Sequence, residues 1–281
     1  MEIKEVLQRN KFQFKKALGQ NFITDGNLLR AIISDAGITE NDTVVEIGTG
    51  AGTLTAFLSK TAKRVITFEV DTDLEPILKE TLSECKNVET VFADVLKISD
   101  DEFRKRVPEK FKVVANLPYY ITTPMIMRFI ESTLCVESMT LMMQKEVADR
   151  LIAKPDTANY GAITVAIEAV ADASITRIID RRMFYPVPNV DSALVKIDFV
   201  KNKYNFADFA TFKKVARGAF TMRRKTLVNN LIAVFPLKKT ECEEILENLG
   251  FSKTIRGEAL SCYDFVNVAN VLYKNKKEHN I

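Results

Sequence analysis

The chain has 281 residues, of which 47% are apolar and 27% charged, an ordinary balance for a folded protein with a full core. No apolar run approaches the roughly 18 residues of a transmembrane helix, and the first residues lack the apolar segment of a secretory signal, so we expect a cytoplasmic protein. The four cysteines are scattered without a C-x-x-C pair, which argues against a zinc site and against a disulfide framework. The single histidine, His279, lies in the polar C-terminal tail, so the usual base of a Ser-His or Cys-His mechanism is missing.

From about residue 27 to residue 200, short β-branched runs alternate with helical periodicity. Strands are predicted for residues 43–47, 64–69, 88–92, 113–115, 139–144, 173–177 and 192–199, and helices for residues 53–60 and 74–85. Strands separated by such helices indicate βαβ units and a largely parallel sheet. Ligands bind these sheets beyond the carboxyl ends of the strands, where the polar motifs described below fall.

After Val200 the pattern changes to helices, which are predicted for residues 208–220, 225–234, 240–249 and 261–274. The sequence therefore predicts an α/β domain over residues 1–200 and a small all-helical domain over residues 201–281. The net charge of +3 is uneven, because the first part carries 25 Lys and Arg against 29 Asp and Glu, and the second carries 15 against 8. The basic helical part is either a polyanion-binding surface or an ordinary solvated helical surface.

The segment VVEIGTGAG, residues 44–52, ends the first of these strands with glycines that let the backbone pass close to a ligand. A dinucleotide fingerprint would need glycine at position 53, which is Thr53, so a pyrophosphate cradle is disfavoured. Glu69 ends the next strand, where a carboxylate accepts hydrogen bonds from ribose hydroxyls. Asp94 ends the third strand and is suited to meet an adenine edge. Ribose and adenine recognition without a pyrophosphate site indicates S-adenosylmethionine.

The segment ANLPYY, residues 115–120, follows the fourth strand and contains no nucleophile, strong base or metal ligand. An adenine amine is a poor nucleophile because its lone pair is delocalised, and two acceptors on its N–H bonds would aim that lone pair at a methyl carbon. We predict the Asn116 side-chain oxygen and the Leu117 carbonyl as these acceptors. Pro118 would stiffen that carbonyl and Tyr119 would stack on a flipped base, so catalysis would rest on positioning and dipoles. The alternative is a strand-to-turn boundary with a buried tyrosine.

Seven motifs, over roughly residues 11–265, resemble the ribosomal RNA adenine N6,N6-dimethyltransferases. They are KKALGQNFITD, EIGTGAG, FEVD, AD, NLPYYITTP, FYPVPNVDSALV and FTMRRKTLVNNL, and the last is similar to the kasugamycin-sensitivity branch, which modifies small-subunit rRNA. The resemblance implies a Rossmann-like, S-adenosylmethionine-dependent methyltransferase sheet with a small C-terminal all-helical domain. It further implies dimethylation of two adjacent adenosines in the 3′-terminal hairpin loop of 16S rRNA, in a late pre-30S particle.

The resemblance also implies roles for individual residues. Asn21 and Ile23 would close over the cofactor, which would be bound by Asn21, Ile23, Gly48, Gly50, Glu69, Asp94 and Asn116. Phe184 would stack on the target base opposite Tyr119, although a core aromatic residue before a proline turn is the alternative for it. We further predict RNA phosphate contacts from Lys213, Lys214, Arg217, Arg223, Arg224 and Lys225, and we expect a monomer.

Three residues depart from the family pattern, since Tyr120 stands where asparagine is common, and Val187 and Asn189 stand where proline and lysine are usual. Three other functions are considered. The first is dimethylation of large-subunit (23S) rRNA with macrolide resistance, against which RRKTLVNNL argues. The second is a non-catalytic assembly or transcription factor, against which the intact cofactor set and Asn116 argue. The third is DNA N6-adenine methylation, which usually involves an acidic D-P-P-Y-type site.

Overall fold

A computed structural model describes residues 3–15 and 19–278, apart from the side chains of Lys4, Tyr119 and residues 276–278. His279 therefore lies outside the described residues. The chain divides into two compact units, one of Met1–Ala148 with Ala173–Phe199 and the other of Asp149–Asp172 with Val200–Ile281. This division differs from the predicted boundary after residue 200 in one segment, because Asp149–Asp172 belong to the second unit.

The central sheet is mostly parallel, as predicted. Its strands are β2 (Thr43–Ile47), β3 (Arg64–Glu69), β4 (Val88–Phe92), β5 (Phe111–Asn116), β6 (Val136–Gln144), β7 (Ala171–Ile179) and β9 (Ser192–Phe199), in the order β4-β3-β2-β5-β6-β9-β7. Strands β4, β3, β2, β5 and β6 pair in parallel, and β9 is antiparallel to β6. Two short strands, β1 (Phe22–Ile23) and β8 (Phe184–Tyr185), form a separate antiparallel ribbon.

Side-chain capping groups mark the starts of several helices. They are α1 (Ile3–Arg9), α2 (Gly26–Ala36), α3 (Thr53–Leu58), α4 (Glu75–Thr81), α5 (Asp100–Arg106), α6 (Thr122–Ile130), α7 (Lys145–Leu151), α8 (Ala162–Glu168), α9 (Phe209–Ala219), α10 (Leu227–Ile232), α11 (Lys239–Asn248) and α12 (Cys262–Glu278). At α2, the Asp25 side chain accepts a hydrogen bond from the Leu28 N–H, and left-handed Gly37 ends the helix. Among the described residues, no helix combines the length and apolar character that crossing a bilayer requires.

Strand β2 explains how the sheet positions polar groups. All five of its residues are buried, as expected for a central parallel strand that is covered on both faces. Because β2, β3, β4 and β5 run in the same direction, the residues at or just after their carboxyl ends meet at one edge of the sheet. Those residues are Gly48, Glu69, Asp94 and Asn116, four of the positions that are predicted to bind a ligand.

The second unit has its own apolar core. Buried Tyr160 and Val165 pack in one cluster with Phe212 of α9 and Phe265 of α12. The Tyr160 hydroxyl donates a hydrogen bond to the Leu260 carbonyl at 2.8 Å, across 100 positions of the sequence. These contacts are the physical reason why the segment Asp149–Asp172 groups with the later helices and not with the sheet.

Candidate active site

A cavity of about 370 Å³ lies at the carboxyl ends of the parallel strands, within the usual size range of small-molecule sites. Its lining includes every residue predicted to bind the cofactor and four of the five predicted catalytic residues: Asn21, Ile23, Gly48, Gly50, Glu69, Asp94, Asn116, Leu117, Pro118 and Phe184. The side chain of the fifth, Tyr119, lies outside the described residues. The sheet thus brings the predicted groups together, while their separate roles stay predictions.

The glycine loop after β2 needs glycine for conformation and for space. Gly48 and Gly50 have φ values of +78° and +55°, which L side chains rarely adopt. A Cβ on Gly50 would lie 2.9 Å from a ring carbon of Phe22, so the Phe22 ring would have to move away from the loop. A Cβ on Gly48 would lie 3.7 Å from the Asn116 carbonyl, and it would narrow the gap between the ends of β2 and β5.

Glu69 is a buried carboxyl group at the end of β3, with an exposed fraction of only 6%. Its oxygens accept backbone N–H groups from Gly50 at 2.8 Å, Val70 at 2.8 Å and Asp71 at 2.9 Å. Burial raises the pKa of Glu69 above its ordinary value, although these three hydrogen bonds oppose the rise. A carboxylate has about four lone-pair sites, so about one acceptor position of Glu69 remains for a further hydrogen-bond donor.

Asp94 follows β4 and presents a partly exposed carboxylate to the cavity. One oxygen accepts the Leu96 N–H at 3.0 Å, and the other lies 3.2 Å from the Lys97 ammonium. The neighbouring Ala93 N–H donates to the Glu69 carbonyl at 2.9 Å, so the ends of β3 and β4 hold the two acidic residues in fixed relation.

Asn116 is oriented by the N-terminal segment. Its Nδ2 donates to the Asn21 carbonyl at 2.8 Å, and because a carbonyl oxygen only accepts, the amide oxygen Oδ1 must point elsewhere. The next residue, Leu117, is buried and donates its N–H to the Met142 carbonyl at 3.3 Å. Among the groups that the structure describes, which leave out the Tyr119 side chain, no donor contacts either the Asn116 Oδ1 or the Leu117 carbonyl. Both of the predicted acceptors therefore have hydrogen-bonding capacity left for a ligand.

Phe184 contributes to the cavity wall from the β1–β8 ribbon, where it pairs with Ile23. Only 3% of Phe184 is exposed, and it packs in the core with Met142 and Leu194. This burial agrees with the core aromatic alternative, and stacking on a base stays a prediction. Tyr120, the departure from the family pattern next to the pocket, also lines the cavity and is 60% exposed.

Glu46 is a cavity residue that the sequence analysis missed. It is 1% exposed, and burial raises its pKa to about 8, although hydrogen bonds from Thr55 and Thr67 oppose the rise. The Thr55 hydroxyl donates to it at 2.5 Å. An acidic residue inside the apolar strand VVEI, directly before the glycine loop, was the signal that could have identified it.

The predicted RNA-binding residues of the second unit differ in their surroundings. The Arg223 guanidinium donates to the Ala158 carbonyl at 2.9 Å and the Tyr160 carbonyl at 3.3 Å. These bonds connect the turn that carries Arg223 to the loop that contains Ala158 and Tyr160. The Lys214 ammonium lies 4.5 Å from the centre of the Phe235 ring. The Lys213 ammonium lies 5.7 Å from the centre of the Phe209 ring. Arg217 lies in the last turn of α9 and is exposed.

Among the predicted RNA-binding residues, Arg224 and Lys225 are the two whose charged groups remain available to bind a ligand. Both are exposed, and in the part of the chain that the structure describes neither side chain makes a hydrogen bond or an ion pair. Free cationic side chains on an exposed turn can neutralise phosphates without first losing a protein partner.

Comparison with known proteins identifies the family. The ribosomal RNA adenine dimethylase model matches residues 11–268. "Ribosomal RNA small subunit methyltransferase A" of Enterococcus faecalis is 44% identical over 97% of this chain and 95% of the relative, and that of Clostridioides difficile is 42% identical over 96% and 94%.

Two solved structures share the fold. A dimethyladenosine transferase from Plasmodium falciparum has a TM-score of 0.76 at 28% identity and covers 92% of this chain and 98% of that one. The 23S rRNA methyltransferase ErmE has a TM-score of 0.67 at 26% identity and covers 88% and 98%. The prediction of a Rossmann-like, S-adenosylmethionine-dependent methyltransferase fold is confirmed. The chain belongs to the ribosomal RNA adenine dimethylase family.

Proposed function

We propose that this protein transfers methyl groups from S-adenosylmethionine to N6 of two adjacent adenosines in the 3′-terminal hairpin loop of 16S rRNA. The observation that carries the proposal is the pair of acceptors without a donor among the described residues, Asn116 Oδ1 and the Leu117 carbonyl, on the wall of a cavity with buried carboxyl groups. An exocyclic amine presents two N–H donors, so the chemistry of the pair fits the chemistry of this substrate.

The cavity also fits the cofactor. The glycine loop leaves space that a Cβ would fill, and Glu69 keeps one acceptor position for a ribose hydroxyl. Asp94 would receive the adenine edge, and the backbone around Gly48 would pass along the methionine part. When bound, the cofactor supplies an electrophilic methyl group.

The protein's part in the reaction is orientation. With its two N–H bonds held by Asn116 and Leu117, the amine is drawn toward pyramidal geometry and its lone pair is directed out of the base plane. The proton released on transfer is acidic and leaves to water, so no histidine is needed. After the first transfer one N–H remains, so a single acceptor can orient the nitrogen for the second. Preorganised dipoles of this kind typically contribute about 2.7–4 kcal/mol each.

The rRNA substrate is inferred from the relatives and from the charge of the second unit. Relatives that match nearly the whole chain are named small subunit methyltransferases, and the exposed Arg224 and Lys225 offer phosphate contacts. We infer that a monomer acts on a late pre-30S particle. The structural similarity to ErmE makes 23S rRNA the second candidate substrate.

One experiment separates these substrates. Small subunits from a strain that lacks the modification, and naked 23S rRNA, are incubated with the protein and methyl-labelled cofactor, and digestion with mass spectrometry then locates dimethyladenosine. The proposal requires two adjacent dimethyladenosines near the 3′ end of 16S rRNA and no product with 23S rRNA. The Asn116→Ala variant serves as the control for contaminating activity. Product on 23S rRNA alone would overturn the proposed substrate.

A further inference from the structure

Asp71 is a buried carboxylate whose role the reaction does not explain. It lies two residues after Glu69, and its side chain has no exposed surface. It accepts hydrogen bonds from the Lys15 ammonium at 2.5 Å and the Gln20 side-chain Nε2 at 2.7 Å, besides the Asp73 N–H at 3.2 Å. Burial alone would raise the pKa of Asp71, but the bonds from Lys15 and Gln20 outweigh it, and the pKa lies below its ordinary value.

Lys15 and Gln20 also contact each other. The Gln20 Oε1 accepts the Lys15 backbone N–H at 3.0 Å, and the Lys15 ammonium lies 2.6 Å from a carboxylate oxygen of Asp73. We call the triad of Lys15, Gln20 and Asp71 the latch. It fixes two points of the N-terminal segment, five residues apart, to the loop that follows β3.

The residue after the latch reaches the catalytic amide. The Asn21 carbonyl accepts the Asn116 Nδ2, and Phe22 packs over Gly50 in the glycine loop. On the other side, the Asp71 N–H donates to the Glu69 carboxylate at 2.9 Å. A continuous series of short contacts thus runs from the carboxylate expected to bind the ribose to the amide expected to orient the target nitrogen.

We propose that Gln20 and Asp71 are positioning residues, which hold the N-terminal segment so that the Asn21 carbonyl fixes the orientation of the Asn116 amide. Without the latch, the Asn21 carbonyl would no longer select between the two flipped orientations of the Asn116 amide, and one of these turns the donor Nδ2 instead of the acceptor Oδ1 toward the substrate. Because Glu69 and Asp71 lie on the same loop and are hydrogen-bonded to each other, we expect cofactor binding and the latch contacts to stabilise each other. This inference rests on the proposed function, because it assigns the purpose of the latch to methyl transfer.

The test uses Gln20→Glu, which keeps the shape of the side chain but replaces the donor with a carboxylate that faces Asp71. We expect the single-turnover rate at saturating cofactor to fall about tenfold to a hundredfold, with a smaller change in cofactor affinity. In the enzyme without cofactor, amide hydrogen exchange at residues 12–15 and 19–23 should accelerate. In the double variant Gln20→Glu with Asp71→Asn, the amide at position 71 can donate a hydrogen bond to the carboxylate at position 20, so donor and acceptor are exchanged. This variant should recover most of the lost rate.

A matched control comes from the opposite edge of the sheet. Asp42 and Lys112 form a partly buried ion pair at 2.9 Å at the amino ends of β2 and β5. Asp42→Asn should lower the melting temperature and leave the transfer rate unchanged. A rate for Gln20→Glu within twofold of wild type, or a double variant no faster than Gln20→Glu, would overturn the proposal. Because exchange is measured without substrate, a wrong rRNA assignment would abolish transfer in wild type but leave the exchange result intact.

Discussion

Replacing Asn116 tests the orientation mechanism, because the structure separates two functions of its amide. Asn116→Ala removes the acceptor Oδ1 and also the Nδ2 hydrogen bond to the Asn21 carbonyl, which measures 2.8 Å. Loss of one preorganised acceptor costs about 2.7–4 kcal/mol of transition-state stabilisation, which is about a hundredfold to a thousandfold in rate. We expect methyl transfer to fall by at least this factor, while binding of the ribosomal subunit changes little.

Asn116→Asp divides this effect into its parts. The aspartate keeps an acceptor but places a carboxylate oxygen against the Asn21 carbonyl, where the wild-type Nδ2 donates. Leaving a partly buried acceptor such as the Asn21 carbonyl unpaired costs up to about 1–3 kcal/mol, and a tenfold change in rate corresponds to about 1.4 kcal/mol. The aspartate variant should therefore be about 5-fold to 150-fold slower than wild type, and faster than alanine.

Single-turnover rates at saturating cofactor, with unmodified small subunits as substrate, measure these differences. Cofactor affinity is measured separately, since Asn116 lies in the shared cavity. Equal rates for Asn116→Ala and wild type would refute the mechanism and leave ANLPYY as a turn. An aspartate variant as slow as alanine would show that the bond to Asn21, and not the acceptor, determines the rate.

Three further predictions follow from the site, the second unit and the buried carboxyl groups. Glu69→Ala should weaken S-adenosylmethionine binding about tenfold or more, because a charge-assisted hydrogen bond to ribose is lost; unchanged affinity by calorimetry, with an intact fold, would remove Glu69 from the site. Replacing Arg224 and Lys225 with alanine should reduce the slope of log affinity against log salt by about 1.4–1.8, whereas Arg223→Ala should lower the melting temperature; an unchanged slope for the double variant would favour a solvated surface. Burial raises the pKa of Glu46 in the folded state from 4.5 to about 8. Between these two pH values the folded state binds a proton that the unfolded state has lost, so the free energy of unfolding of the wild type falls as the pH rises from about 4.5 to about 8. Urea unfolding at several pH values should show that Glu46→Gln lacks this part of the pH dependence. If the unfolding free energies of wild type and Glu46→Gln change with pH in parallel, the raised pKa of Glu46 is wrong.

The sheet and the cavity were predictable because they depend on local patterns. Apolar runs such as TVVEI identify strands that are buried on both faces, and parallel strands bring their carboxyl ends to one edge. Once the strands were assigned, Gly48, Glu69, Asp94 and Asn116 could be placed together without any knowledge of side-chain packing. The structure then added which of their atoms remain free to bind.

The features that sequence reasoning missed depend on contacts between distant parts of the chain. The segment Asp149–Asp172 looks like part of an α/β pattern, but Tyr160 is held by a carbonyl 100 residues later. The ribbon of β1 and β8 pairs two-residue strands that carry no periodicity of their own. In the same way, the sequence groups Arg223 with its basic neighbours, whereas in the structure its guanidinium donates hydrogen bonds to two backbone carbonyls.

The central claim, that Asn116 and Leu117 orient an adenine amine beside the methyl donor, is tested most directly by a crystal structure with S-adenosylhomocysteine and an adenosine-containing RNA fragment. We expect the target N6 to lie within about 3.2 Å of both the Asn116 Oδ1 and the Leu117 carbonyl oxygen, with the Glu69 carboxylate on the ribose of the cofactor. An adenine whose N6 contacts neither oxygen, in a complex that retains the Asn116 bond to Asn21, would contradict it.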